Sequence, residues 1–288
     1  MPELPEVEST RRSLARAIQG RRVRAVEVFR RDVVVAPGDP EGGFSRQRKA
    51  AKPVPLTDDM LLRSARFVEP ARRGKQLALV ANDGRAIVVH LGMTGAVLVR
   101  TKDVQARSPH EHVRWLLDDG SVMVFDDARR FGGLWVVPSA DALRARWETL
   151  GPDALGITAD ALRHELARRR TPIKAALLDQ RVLAGVGNIY ADESLFRAGI
   201  RPDREARGLS RPRIERLAQA IRDVLHNAVR AGGSTLRDFR DADGRPGSYR
   251  ASHAVYGRGG EQCPSCGARL RTGSCAQRTT VWCGRCQR

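Results

Sequence analysis

The sequence predicts an α+β chain of two domains with a small appended module, and three observations carry that expectation. Residues 21–147 are broken into short β-branched runs, residues beyond Leu150-Gly151-Pro152 turn helical, and all five cysteines fall within the last 26 residues. A length of 288 residues suits two domains at about 150 residues each.

The first element is a helix over 5–20. Pro5 fits a first helical turn, Glu6 and Glu8 place carboxylates at its positive dipole end, and Val7, Leu14, Ala17 and Ile18 form one apolar stripe before Gly20. Runs at 23–29, 76–80, 87–90, 96–99 and 113–117 read as strands. Asn82-Asp83-Gly84 and Asp118-Asp119-Gly120 lie between such runs as hairpin turns, so this part reads as an antiparallel sandwich or barrel. Residues 36–60 mix Pro, Gly and basic residues without periodicity and read as a surface insertion. A helix over 211–230 carries Ile214, Leu217, Ile221, Val224, Leu225 and Ala228 on one face and stops at Gly232-Gly233. Residues 234–256, polar and rich in Gly and Arg, read as a mobile loop.

Fifty-one Lys and Arg against 33 Asp and Glu give a formal charge of +18, which points to a polyanionic partner, most often nucleic acid. The plainer reading is a solvated basic surface. No apolar run approaches the ~18–20 residues of a membrane helix, and the acidic, Pro-broken N-terminus is the reverse of a signal peptide. These features exclude membrane and secreted readings, so the expected compartment is cytoplasmic.

Cys263-Pro-Ser-Cys266 and Cys283-Gly-Arg-Cys286 are two C-x2-C knuckles separated by sixteen residues. Each pair supplies two thiolates from a tight turn, and four protein ligands close a tetrahedral Zn2+ site, so one structural zinc is expected. Cys275 reads as a bystander. Residues 258–288 hold six arginines and one glutamate, and Arg278 between the knuckles would project from a hairpin toward phosphate. Gly185-Val186-Gly187-Asn188 precedes a helical stretch over 189–198; its backbone N–H groups could cradle a phosphate, or it is a plain tight turn. At the N-terminus, removal of Met1 would leave Pro2 as a secondary amine. Such an amine can attack a sugar carbon and form an iminium, with Glu3 beside it as proton donor; otherwise the terminus is merely frayed.

Further runs follow in a fixed order: MPELPEVE at 1–8, RRGK at 72–75, HLGMTG at 90–95, HEHV at 110–113 and ARRFG at 128–132. TPIKAALLDQ at 171–180, LAGVGNIYADESLF at 183–196, VYGR at 255–258 and AQRTTVWCGRCQ at 276–287 complete the series. In this order they resemble the formamidopyrimidine-DNA glycosylase family, almost end to end; only residues 36–60 have no counterpart.

The resemblance implies an N-terminal β-sandwich with flanking helices over 1–148, a helix–two-turn–helix domain over 149–257 and a zinc finger over 258–288. DNA would lie across the cleft between the first two. It implies a monomeric bifunctional DNA glycosylase and AP lyase that removes oxidised purines from duplex DNA in base excision repair. The partner would be double-stranded DNA containing oxidised bases or abasic sites, in the bacterial cytoplasm. By the same resemblance Pro2 is the nucleophile, Glu3 the general acid, Glu6 an acidic partner in the adjoining helix turn, and Lys75 a cleft lysine that contacts phosphate and supports catalysis. Asn188 and Arg278 match phosphate grips, and Lys174 and His90 lesser cleft positions. Met93, Arg129 and Phe131 match a wedge that fills the stack vacated by a flipped base. Read without the resemblance, Met93 would be core and the Arg-Arg-Phe run a surface strand end.

Three departures stand out. Ala128 replaces the family's usual proline in the wedge loop, the 36–60 insertion is extra, and the 238–253 loop carries Arg240, Arg245 and Arg250. The sister family for oxidised pyrimidines, endonuclease VIII, typically opens Pro-Glu-Gly-Pro and lacks the wedge. Leu4, Met93, Arg129 and Phe131 therefore favour the purine family.

Overall fold

The computed structural model describes residues 2–39, 54–101, 107–235 and 239–288. The chain divides into two compact units. The first comprises Met1–Pro2, Glu6–Glu148 and Ser234–Gly247; the second comprises Glu3–Pro5, Thr149–Gly233 and Ser248–Arg288.

Most of helix α1 (Leu4–Ile18) belongs to the first unit. Its spacing of apolar residues puts Val7, Leu14 and Ile18 on one buried face. Two sheets follow. One has strand order β1-β7-β8-β6, from β1 (Val23–Val28), β6 (Ala96–Arg100), β7 (Glu111–Leu117) and β8 (Val122–Asp126). The other has order β2-β9-β5-β4-β3, from β2 (Val34–Val35), β3 (Ala71–Arg73), β4 (Gln76–Val80), β5 (Ala86–His90) and β9 (Gly133–Val137). Both expected hairpins form, β4 with β5 and β7 with β8. Alternate residues of β4 and β5 serve two different cores, because a strand turns successive side chains to opposite faces. Leu77, Leu79, Ile87 and Val89 join Trp115, Met123 and Phe125 in the main core. Ala78, Ala86 and Val88 face the other way and are covered by Leu143 and Trp147 of α2 (Ala140–Glu148). Burial on both faces explains why these strands read as continuous apolar runs.

Of the expected 36–60 insertion, residues 40–53 lie outside the described residues. Its neck is closed by Asp39, which accepts hydrogen bonds from Ala36 N and Val54 N, each at 2.8 Å, and pairs with Arg31 at 2.9 Å.

The stretch 234–256 differs from the loop expected of it. Residues 236–238 lie outside the described residues. Beyond them Ala242 sits in the main core of the first unit, its N–H donating to Ser13 Oγ at 3.0 Å and its carbonyl accepting from Val99 N at 3.0 Å. Polar composition concealed this because the packing rests on one small side chain and on backbone hydrogen bonds.

The second unit is built from α3 (Ala159–Leu166), α4 (Ile173–Leu178), α5 (Asn188–Ala198) and α6 (Arg211–Arg230), followed by the ribbon β10 (Arg271–Cys275) and β11 (Arg278–Trp282). α6 has the expected limits and buries the expected face. Thr158 caps α3 through Ala161 N, and Gly199 ends α5 in the left-handed conformation. A small core of Val255, Cys263, Leu270, Val281 and Cys283 underlies the ribbon. Among the described residues, no helix is long and apolar enough to cross a membrane.

Candidate active site and metal centre

In the first unit Pro2 is buried at the start of the chain. Glu6, only 1% exposed, accepts from Ser234 N at 2.6 Å and so ties the returning segment to α1. Lys75 follows a turn braced from α1: Arg72 donates to Glu8 Oε2 at 3.0 Å and to Gly74 O at 3.0 Å. Burial alone would raise the Glu8 carboxyl, but Arg11, Arg12 and Arg72 together bring it down to about 2. This brace escaped the sequence reading, since Glu8 looked like a dipole-compensating residue only.

His90 lies at the end of β5, opposite Gln76 in the register. Burial, then the charges of Lys75 and Arg146, push its pKa down to about 4, so it is neutral at neutral pH. Its Nδ1 accepts from Gly92 N at 3.0 Å, which leaves the proton on Nε2.

The three wedge candidates share one anchor. Asp127, fully buried, accepts from Thr94 Oγ1 at 2.6 Å, Arg129 N at 3.2 Å and Gly132 N at 2.7 Å. The two loops pack so closely that a Cβ on Gly92 would lie 2.3 Å from Gly132 N. Met93 stands 43% exposed on one loop, an unusual position for a large apolar side chain. On the other loop the guanidinium of Arg129 lies 5.4 Å from the Phe131 ring centroid. Ala128 makes none of these bonds, so Asp127 holds the loop without the family's proline.

In the second unit the Gly185-Val186-Gly187-Asn188 turn has an occupant. Glu3, 3% exposed, accepts from Gly187 N at 2.7 Å, Ile189 N at 3.0 Å and Tyr190 N at 3.4 Å. The N–H groups expected to cradle a phosphate are therefore bound to the chain's own carboxylate. Asn188 donates from Nδ2 to Thr279 O at 3.0 Å. Arg278 is exposed next to a tight turn in which Ala276 and Gln277 both have positive φ, 51° and 58°. Lys174 is not exposed at all: its ammonium pairs with Asp192 Oδ1 at 2.7 Å and donates to Thr280 Oγ1 at 2.8 Å and Thr279 O at 3.1 Å. Burial pushes the Asp192 carboxyl up to about 6, although Lys174 pulls it down. The neighbouring Glu193 accepts from Ala254 N, Val255 N and Tyr256 N at 2.8–2.9 Å. Two adjacent buried acids in NIYADESLF were the available signal for these contacts.

The sulfurs of Cys263, Cys266, Cys283 and Cys286 all lie within 4.8 Å of one another, with Cys263–Cys286 at 3.9 Å and Cys266–Cys283 at 3.5 Å. A tetrahedral site with Zn–S bonds of about 2.3 Å requires sulfurs about 3.8 Å apart, so the four thiols are gathered closely enough to hold a zinc ion. Cys275 lies outside this cluster, on β10.

The description "Formamidopyrimidine-DNA glycosylase N-terminal domain" matches residues 1–134, and "Formamidopyrimidine-DNA glycosylase H2TH domain" matches residues 150–240. Over the full length of both chains, the sequence is 43% identical to a formamidopyrimidine-DNA glycosylase of Stenotrophomonas maltophilia and 42% identical to one of Laribacter hongkongensis. The chain belongs to the formamidopyrimidine-DNA glycosylase family. Its fold agrees with solved members of that family. The Thermus thermophilus protein superposes with a TM-score of 0.82 at 38% identity, covering 99% of this chain and 98% of that one. A Lactococcus lactis member bound to Fapy-dG-containing DNA superposes with a TM-score of 0.85 at 30% identity over all of both chains. This family's α+β architecture, with N-terminal sheets, a helical H2TH region and a C-terminal cysteine cluster suited to a zinc finger, is the architecture of this chain.

Proposed function

We propose that the protein is a bifunctional DNA glycosylase and AP lyase that removes oxidised purines from duplex DNA, with Pro2 as nucleophile once Met1 is cleaved. The observation that carries this reading is the fixing of Glu3. A carboxyl group held by three backbone N–H groups at the start of α5 is covalently adjacent to the residue that becomes the chain's terminal amine. While Met1 remains, the Pro2 nitrogen is an amide and unreactive; once freed it is a secondary amine, and α-amines, with ordinary pKa values near 8, keep a usable unprotonated fraction at neutral pH.

In the proposed reaction the Pro2 nitrogen attacks C1′ of the damaged nucleotide, and the bond from C1′ to the base breaks as the new C–N bond forms, the departing base taking up the proton that the amine loses. Glu3 supplies a proton to the ring oxygen as the sugar opens, leaving an iminium between Pro2 and C1′. Abstraction of a C2′ proton then expels the 3′ phosphate, and a second elimination expels the 5′ phosphate. Lys75 supports the phosphate of the reacting nucleotide, and His90, neutral and carrying its proton on Nε2, donates to phosphate without adding charge. Met93, Arg129 and Phe131 replace the extruded base: the apolar side chains wedge into the stack and the arginine hydrogen-bonds the orphaned cytosine. Asn188 and Arg278 hold backbone phosphate. Cys263, Cys266, Cys283 and Cys286 would hold one zinc, whose contribution is to fold the ribbon. The solved Lactococcus lactis complexes with Fapy-dG-containing and abasic-site DNA support this substrate class.

The deciding experiment is borohydride trapping on a duplex carrying 8-oxoguanine opposite cytosine, with the crosslinked residue mapped by mass spectrometry. An adduct on Pro2 is expected. Intact binding of the damaged duplex with no adduct on this lesion, on thymine glycol or on an abasic site would leave a damage-binding protein and overturn the reading.

A further inference from the structure

The family resemblance makes Lys174 a cleft residue, yet its surroundings give it other work. A lysine ammonium has three N–H donors. This one donates to Thr280 Oγ1 at 2.8 Å and Thr279 O at 3.1 Å and forms an ion pair with Asp192 Oδ1 at 2.7 Å. Both charged side chains are 0% exposed. A phosphate could reach Nζ only by opening the packing and displacing one of these partners, leaving a buried charge uncompensated.

The acceptors belong to one strand and its neighbouring helix. Thr280 Oγ1, which accepts from Lys174, donates in turn to Arg278 O at 3.1 Å. Thr279 O receives Lys174 and Asn188 together. Asp192 Oδ2 accepts from Val281 N at 3.1 Å. The polar groups of β11 from Arg278 to Val281 are thus tied to α4 and α5 through one buried ion pair and the Asn188 amide. The cysteine cluster sits at the other end of this strand, beyond Trp282, and secures the base of the ribbon.

We propose that Lys174 and Asp192 are positioning residues: their buried ion pair locks β11 onto α4 and α5 and sets the direction in which Arg278 and Asn188 present to DNA, and Lys174 itself touches no phosphate. The lock acts independently of the metal, so the ribbon can be fully metallated and still misaligned when the lock is broken. This inference rests on the DNA-binding reading above for its affinity readout only.

Asp192→Asn separates the two roles for Lys174 by sign. An asparagine amide must turn a donor toward either the Lys174 ammonium or Val281 N–H, so it breaks the lock. If Lys174 contacted phosphate, deleting the adjacent carboxylate would leave DNA affinity unchanged or increase it. The lock predicts the reverse: at least a tenfold rise in Kd for a duplex carrying a tetrahydrofuran abasic analogue, with one zinc per chain retained and the larger part of the loss in Kd rather than in the saturating single-turnover rate. Lys174→Met should show a similar loss, and the double variant Lys174→Met/Asp192→Leu should bind more tightly than either single variant, because no buried charge remains unpaired.

A measurement on the unaltered protein keeps the inference testable if a variant fails to fold. The chain has only five lysines, so amine acylation read by mass spectrometry resolves each one. Lys174 should remain unmodified in the free protein and in the DNA complex alike. Acylation of Lys174 in the folded free protein, with protection by DNA, would overturn the proposal, as would unchanged or tighter binding by Asp192→Asn. Failure of the unaltered protein to bind damaged duplex would instead sink the functional reading and leave the acylation test of the lock standing.

Discussion

The carboxyl carbon of Glu3 lies 2.4 Å from where a Cβ on Gly187 would be, so the acid and the glycine share one space. On the proposed reaction the fit makes Gly187 a requirement of the chemistry and not only of the turn. Gly187→Ala must displace Glu3 from its three N–H donors. Excision of 8-oxoguanine in single turnover should fall by about 10²-fold or more, the scale of a lost general acid. Gly156→Ala is the control: nothing lies within 4 Å of its Cβ position, and stability should change by no more than about 0.5 kcal/mol. Equal activity of Gly187→Ala and the unaltered protein would show that Glu3 is not placed by this contact.

Asp127 should matter as much as the proposed wedge residues on the loops it holds. Removing it as Asp127→Ala strips the acceptor from the Thr94 hydroxyl and from two backbone N–H groups, at a cost of about 2–3 kcal/mol. Base extrusion, followed by 2-aminopurine fluorescence beside the lesion, should be lost together with that stability. Ala128→Pro should leave extrusion nearly unchanged, because Ala128 supplies none of the bonds that hold the loop.

His90 gives stability a pH dependence of definite sign. Its folded pKa of about 4 lies below the ordinary histidine value near 6.5, so between those limits the unfolded chain binds more protons. Stability from this group is complete above pH 6.5 and is lost as pH falls toward 4, by roughly 3 kcal/mol in all. Urea midpoints at pH 7.5, 6 and 5 should fall more steeply for the unaltered protein than for His90→Gln. Parallel profiles would assign the acid sensitivity elsewhere.

The metal centre should unfold locally. The ribbon core contains few residues besides the cysteines, so a chelator or Cys263→Ser should release it. Damaged-duplex binding should be abolished while the core around Trp115 and Phe125 stays folded, visible as a retained cooperative urea transition. Unchanged binding by the metal-free protein would contradict a phosphate grip at Arg278.

Phosphate contacts should also be read in salt. With a net charge of +18, affinity should fall steeply as salt rises, and Arg278→Ala should reduce the slope of log K against log[salt] by about one while weakening all duplexes alike. A flat response would remove the electrostatic argument.

What the sequence revealed depended on whether the chemistry lies in contiguous residues. The knuckles at Cys263–Cys266 and Cys283–Cys286, the hairpins and the apolar face of α6 are local patterns, and each was legible. Asp127, the Glu8–Arg72 brace and the Lys174–Asp192 pair were not, because their partners lie far along the chain or on other elements. The turn at 185–188 shows the limit most plainly. Its glycines announce a close approach, but only the fold reveals that Glu3 makes that approach. Likewise a buried lysine and an exposed one are the same letter, and Lys174 reads as a cleft position until its three partners are seen.

The chain path bears on how the protein is made. Residues 3–5 belong to the second unit, and 234–247 return to the first, where Ala242 completes a core begun by α1 and the strands. A ribosome therefore releases the whole β-rich portion long before its last core residue emerges. Until then Glu6 lacks Ser234 N and Ser13 lacks Ala242 N. Synthesis should yield an unfinished N-terminal half that settles only when about five-sixths of the chain is out, and a fragment ending at 148 should be a poor substitute for the complete first unit.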